Sequence, residues 1–198
     1  MCFMKRFKIN RLTKKLTSLQ QSRVHNPANE EQLKKEINTY RKLALIYNAL
    51  MTKKKYPFAR LMVLECYRSA SAIEDSDSQF QLGKHLLDEA IFRDQLQQRG
   101  LFASPSNARQ ATQLYEEAHA YLSAAVTLHN IKAKRLHGLC YINGWGVLSD
   151  KKRGFEMIVE SIDDEQSWDK VPQIFAELHL NKPEFYSALT EHRKNSVH

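Results

Sequence analysis

The sequence predicts an all-α protein built from antiparallel helix hairpins. Three observations carry that expectation. Apolar residues recur every three to four positions along most of the chain, the spacing of one helix face. No stretch shows sustained two-residue alternation, and no Asn-Gly or Asp-Gly pair marks a β-hairpin. The breaks between periodic segments are short and no Gly/Ser-rich linker divides the chain. Consecutive helices must then fold back on one another to bury their apolar faces.

In chain order, INRLTKKLTSLQ aligns Ile9, Leu12, Leu16 and Leu19 on one stripe, with Arg11, Lys14 and Lys15 off it and Phe3 and Phe7 upstream. Pro27 disfavours helix at Asn26, and Asn29 is placed to cap a second helix over about 30–52, carrying Leu33, Ile37, Tyr40, Leu43, Ala44 and Tyr47. Pro57 in KKKYPF ends that segment; a third helix over about 58–74 carries Leu61, Leu64, Cys66 and Ala70. EDSDSQ is a polar turn. A fourth helix over about 78–98 carries Phe80, Leu82, Leu86, Leu87 and Ile91. RGLFASPSN reads as a loop, with Gly100 as helix stop and Asn107 as the next cap.

A fifth helix over about 108–128 repeats Ala111, Ala118 and Ala125 every seven residues. A sixth, about 131–143, runs into Gly144 and Gly146, and Asp150 is placed to cap a seventh with Phe155, Met157, Ile158 and Val159. Pro172 and Pro183 each precede a short apolar segment, Ile174, Phe175 and Leu178 in one and Phe185, Tyr186 and Leu189 in the other.

At 198 residues, 42% hydrophobic and 26% charged, the chain has the composition of a folded domain. No eighteen-residue apolar run is present, and the basic start MCFMKRFKINRLTKKL has neither an apolar core nor a cleavage site of the secretory kind. A cytoplasmic location is expected. The three cysteines, Cys2, Cys66 and Cys140, are far apart and form no CxxC pair, so neither a disulfide framework nor a zinc site is predicted. Charge is uneven: residues 1–55 hold 14 Lys/Arg and 3 Asp/Glu, a balance of +11, against 16 and 19, or −3, in the remainder. The expected division is a basic amphipathic arm or helix over 1–24 and one helical-repeat domain over 29–198.

The glycines at 138–146 carry the sharpest local signal. GLCYINGWGVLSD holds Gly138, Gly144 and Gly146, and Gly144 and Gly146 suit a tight connection with positive φ between antiparallel helices. A phosphate-cradling loop would need GxxxxGK[ST], or GxGxxG after a strand, and neither occurs. Ala70, Ser78 and Gly83 repeat the spacing of Ala125, Ala133 and Gly138, a sign of internal repetition.

Residues 125–162 resemble a Sel-one-like repeat, a relative of the tetratricopeptide repeat. The resemblance rests on Ala133, Gly138, Tyr141, Gly144, Gly146, Val147 and Asp150. Gly154 stands in for an alanine, Met157 for an aromatic residue, Ser161 for a small closing residue, and His137 for the leucine before Gly138. Residues 70–125 match more loosely, with QLG at 81–83 but an enlarged loop at 99–106 in place of the glycine turn. The resemblance implies an α/α solenoid with helical flanks. It also implies adaptor or scaffold work, as in bacterial relatives with signalling, envelope, virulence or secretion roles.

Catalytic, cofactor and metal sites are not predicted. His85 with Glu89, His129 with His137, Glu116 with His119, and the run Asp163, Asp164, Glu165 lack the spacing of a metal or acid–base centre, and the acidic run reads as solvated helix-end charge. The expected function is non-enzymatic: a cytoplasmic adaptor or chaperone-like component that binds other proteins. Two contact surfaces are expected. Leu101 and Phe102 sit in a loop with no helix to bury them, and Lys5, Arg6, Lys8, Arg11, Lys14 and Lys15 form the basic arm. The alternative is binding of nucleic acid or an anionic membrane through that arm, with affinity that falls with salt and is lost on deleting 1–24.

Overall fold

The computed structural model describes the backbone of residues 2–25 and 29–195 and the side chains of residues 4–25 and 29–191. Cys2 and Phe3 as side chains, and Asn26 and Pro27, lie outside the described residues. All regular structure among the described residues is helical: α1 (Cys2–His25), α2 (Glu30–Asn48), α3 (Ala59–Ser71), α4 (Ser76–Gln98), α5 (Pro105–Thr127), α6 (Ile131–Asn143), α7 (Lys151–Glu165), a 3-10 turn (Trp168–Lys170), α8 (Val171–Glu177) and α9 (Pro183–Asn195).

Side-chain caps start most of these helices. Asn29, Asp75, Ser104, Asn130 and Asp150 each accept from the backbone N–H three residues on, satisfying one free donor of the first turn. The predicted cap Asn107 is a correction. Ser104 takes that role, with Pro105 at the first position, and Asn107 is buried inside the first turn. Its Nδ2 donates to the Arg93 carbonyl at 3.0 Å and so ties α5 to α4. Two predicted ends also move inward: α3 stops at Ser71, and α2 stops at Asn48, where residues 49–56 form turns closed by bonds such as Leu50 N–H to the Tyr47 carbonyl.

Consecutive helices from α1 to α7 pack on one another. Cross-helix pairs run in opposite senses: Gln20 with Tyr40 and Arg23 with Glu36 between α1 and α2, Gly83 with Leu122 and Arg93 with Gln110 between α4 and α5, and Lys134 with Asp164 between α6 and α7. The antiparallel order brings the N-terminus of α1 and the connections 49–58, 99–104 and 144–150 to one end of the molecule. One core joins Ile9 of α1 to Leu43, Val63, Leu82, Leu86 and Leu122, and a second joins Ile158 and Ile162 to Phe175 and Leu178. Burial of Ile9, with Leu12 and Leu16 packed beside it, docks α1 on the body with its basic residues outward.

Helix lengths set the shape of that end. The α4 and α6 caps, Asp75 and Asn130, stand in the same relation as Gly83 and Gly138, 55 residues apart in each case. Yet α4 and α5 have 23 residues each, against 13 and 15 in α6 and α7. The excess of 10 and 8 residues at ~1.5 Å per residue carries the α4–α5 connection roughly 12–15 Å past its neighbour.

Candidate functional site

The glycine turn is packed against protein on its inner side. Gly144 (φ 72°) closes α6 in the left-handed conformation, and Trp145 N–H reaches the Cys140 carbonyl at 2.9 Å. Gly146 (φ 70°) lies so close to α5 that an added Cβ would stand 2.5 Å from the Tyr115 carbonyl carbon. Trp145 stacks on the Tyr115 ring, centroids 5.8 Å apart and planes 7° from parallel. Asp150 caps α7, and its own N–H donates to the Tyr141 carbonyl at 2.9 Å. Gly138 faces Gly154 at the α6–α7 crossing.

The projecting α4–α5 connection carries Leu101 and Phe102. Gly100 (φ 71°) turns the chain out of α4, and Leu101 N–H returns to the Leu96 carbonyl at 3.1 Å. That bond fixes the backbone but leaves the side chains out: Leu101 is 64% exposed and Phe102 69%. Phe92, on the last third of α4, is exposed on the same projection. Sequence reading missed Phe92, because its exposure follows only from the excess length of the hairpin.

A groove of about 710 Å3 runs between the α6–α7 turn and α9. Trp145, Phe155 and Phe185 line it, with Lys151, Lys152 and Lys182 among its polar residues. Phe155 and Phe185 stack across it at 6.0 Å. No local pattern could reveal this groove, since its walls come from helices 30 residues apart in the chain.

The histidines pair differently from the spacings in the sequence. His129 ends α5 in an exposed turn with φ 58°, while His119 of α5 meets His137 of α6, Nε2 to Nε2 at 2.9 Å. One proton is shared in such a contact, so one ring donates and the other accepts. His137 Nδ1 is buried without a partner. Burial, then the neighbouring His119 and Arg153, pushes the His137 pKa down to about 4. Arg153 itself lies over the Tyr141 ring, 4.2 Å from its centroid. Burial pushes the thiols of Cys66 and Cys140 up to about 12, which removes thiolate character at neutral pH. No group of three or more His, Cys, Asp or Glu able to hold a metal occurs among the described residues.

The acidic run at 163–165 is exposed at the end of α7, as expected, and its carboxylates are also paired. Asp164 pairs with Lys134 at 2.9 Å, Glu165 with Arg135, and Asp163 accepts from Trp168 Nε1 at 2.8 Å. These contacts fasten the end of α7 to α6 and to the 3-10 turn. In α1, Arg6, Lys8, Arg11, Lys14 and Lys15 are exposed and Lys5 is half-buried. Lys5 lines one cleft with Lys53, Lys54 and Lys55, which joins the arm to the α2–α3 connection. No helix among the described residues is long and apolar enough to cross a membrane. Comparison with family models, with curated proteins and with solved structures gives no match.

Proposed function

We propose that this chain is a non-enzymatic adaptor, a solenoid of Sel-one-like helix hairpins that captures a segment of another protein. The observation that carries the reading is the apolar tip of the overlong α4–α5 hairpin. Large apolar side chains held out in water by a fixed backbone are costly unless a partner covers them. Leu101, Phe102 and Phe92 are such side chains, and Gly100 with its neighbouring turn bonds holds the backbone beneath them. The groove beside Trp145 adds a second apolar surface at the same end, suited to the flank of a bound segment. This reading takes the buried ionisable groups as structural. Burial holds the Cys66 and Cys140 thiols protonated, and the His119–His137 pair packs against Tyr141, which Arg153 overlies. The resemblance at 125–162 makes a bacterial cytoplasmic setting, in service of a secretion or virulence machine, the setting of choice for such an adaptor.

The test is affinity capture from a cell extract with the intact chain and with the Leu101→Ser/Phe102→Ser variant, followed by identification of retained proteins. A specific protein retained by the wild type and lost by the variant, with helicity and melting temperature unchanged, supports the reading. Equal retention by both chains sinks it, and so does unfolding of the variant, which would make the two residues part of the core.

A further inference from the structure

We infer that the end of the molecule formed by the first turns of α1 and the α2–α3 connection is a docking surface for an anionic lipid bilayer. The fold builds this surface from two segments some fifty residues apart in sequence. Antiparallel packing of α1 on α2 sets Lys5 beside Lys53, Lys54 and Lys55 around a cleft of about 480 Å3 floored by Leu50. Neither residues 1–29 nor residues 37–64 contain a single Asp or Glu. Among the described residues none of these four lysines has an ion-pair partner, whereas Arg60 nearby is paired with Glu89. The result is a positive end on a body that is otherwise slightly acidic.

Charge alone would suit a phosphate backbone or an acidic protein equally. Exposed apolar side chains on the same two segments favour lipid. Phe7 is 63% exposed and Phe58 70%, and Met4 and Leu61 are exposed beside them in sequence. On α1, Met4, Phe7, Arg11 and Lys14 follow i, i+3, i+7 and i+10, one outward stripe opposite the buried Ile9. A nucleic-acid backbone would take the lysines and leave methionine and leucine in water. At a bilayer surface the cations lie at the level of the anionic headgroups while the apolar groups enter the acyl boundary. Lysine suits this better than arginine, as a point charge on a long apolar stem that reaches the headgroups.

The α4–α5 tip lies at the same end, so a chain seated on a bilayer presents Leu101 and Phe102 toward the membrane plane. The inference does not depend on the adaptor reading, and the experiment separates the two. The full chain is sedimented with vesicles of phosphatidylcholine alone and with vesicles that also contain phosphatidylglycerol, at low and high salt, and a DNA duplex serves as competitor. Three variants are compared, each checked for unchanged helicity: Lys53→Gln/Lys54→Gln/Lys55→Gln, Phe7→Ser/Phe58→Ser, and Leu101→Ser/Phe102→Ser.

The expected result is binding to the anionic vesicles only, weakened roughly a hundredfold by the lysine variant, weakened by the Phe7/Phe58 variant, and resistant to the duplex. Absence of binding to anionic vesicles overturns the proposal, as does binding indifferent to the lysines. Full binding by the Phe7/Phe58 variant overturns it too, since the surface would then be purely electrostatic, and efficient displacement by the duplex would give it to nucleic acid. Loss of vesicle binding in the Leu101/Phe102 variant as well as in the other two supports the lipid surface and overturns the adaptor reading, because the tip would then be a bilayer wedge. Truncation of residues 1–24 is not the test of choice, since it strips Ile9 from the core and exposes the face of α2.

Discussion

Gly138 and Gly154 stand face to face where α6 crosses α7: a Cβ on Gly138 would lie 2.5 Å from the Gly154 carbonyl oxygen, and a Cβ on Gly154 would come as close to the Gly138 carbonyl. The first collision is thus with backbone, which cannot move aside as a side chain can, and the Ile158 and Ile142 side chains close in beside it. Alanine favours helix over glycine by ~1 kcal/mol, but separating two packed helices costs more. Gly138→Ala or Gly154→Ala is therefore expected to lower stability by about 2 kcal/mol, read as a lower urea midpoint. An unchanged or higher midpoint would show that the crossing has room to spare.

Gly146 and Gly100 have the same backbone twist but different surroundings. Around Gly100 a new Cβ meets nothing within 4 Å, so only its positive φ opposes alanine, at about 1 kcal/mol. At Gly146 the same strain is joined by collision with the Tyr115 backbone. Gly146→Ala should cost clearly more than Gly100→Ala, and only the former should perturb Trp145 fluorescence. Equal effects would mean that the turn does not bear on α5.

The His119–His137 contact predicts acid sensitivity. His137 protonates at about 4 in the folded chain, against 6.5 for a free imidazole. Between those values the unfolded chain binds the extra proton, so stability falls as pH drops from about 6.5 toward 4 and levels off below. Burial lowers His85 and His119 in the same direction. The full His137 share is roughly 3 kcal/mol. His137→Gln should narrow the gap between melting temperatures at about pH 7 and about pH 5, and an undiminished gap would assign the effect elsewhere.

Arg135 joins α6 to the end of α7 through Ser161 at 3.1 Å, Glu165, and Ser167 at 3.3 Å. Its side chain is largely buried. Arg135→Ala is expected to cost about 1–3 kcal/mol. Arg135→Lys should recover little, because an ammonium lacks the planar fork that reaches three acceptors. Thermal melts of the two variants decide this, and full recovery by lysine would reduce the contact to simple charge.

Arg23 lies 3.4 Å from Glu36, a side chain 1% exposed at the α1–α2 interface. Arg23→Ala leaves that carboxylate buried and alone, at a cost of about 2 kcal/mol, with Arg23 itself partly in water. Amide hydrogen exchange should accelerate in α1 first. Adding Glu36→Gln should restore protection, and failure to do so would mean that the pair does not hold the helix.

Features that depend on a few neighbouring residues are legible along the chain. Asn29 and Asp150 cap where their side chains were expected to, Gly100 and Gly144 end helices with positive φ, and the stripe through Ile9 turns inward. A cap or a left-handed residue is decided within one turn of chain, so its signature is local. Packing between helices sets what Gly146 touches, that His119 rather than His129 meets His137, that Lys5 shares a cleft with Lys53–Lys55, and that Phe92 stays in water. Each of these depends on the register and relative length of helices packed side by side. That register is set by the summed fit of many distant contacts, Gly138 against Gly154 and Gly83 against Leu122 among them. No window along the chain contains both sides of such a contact.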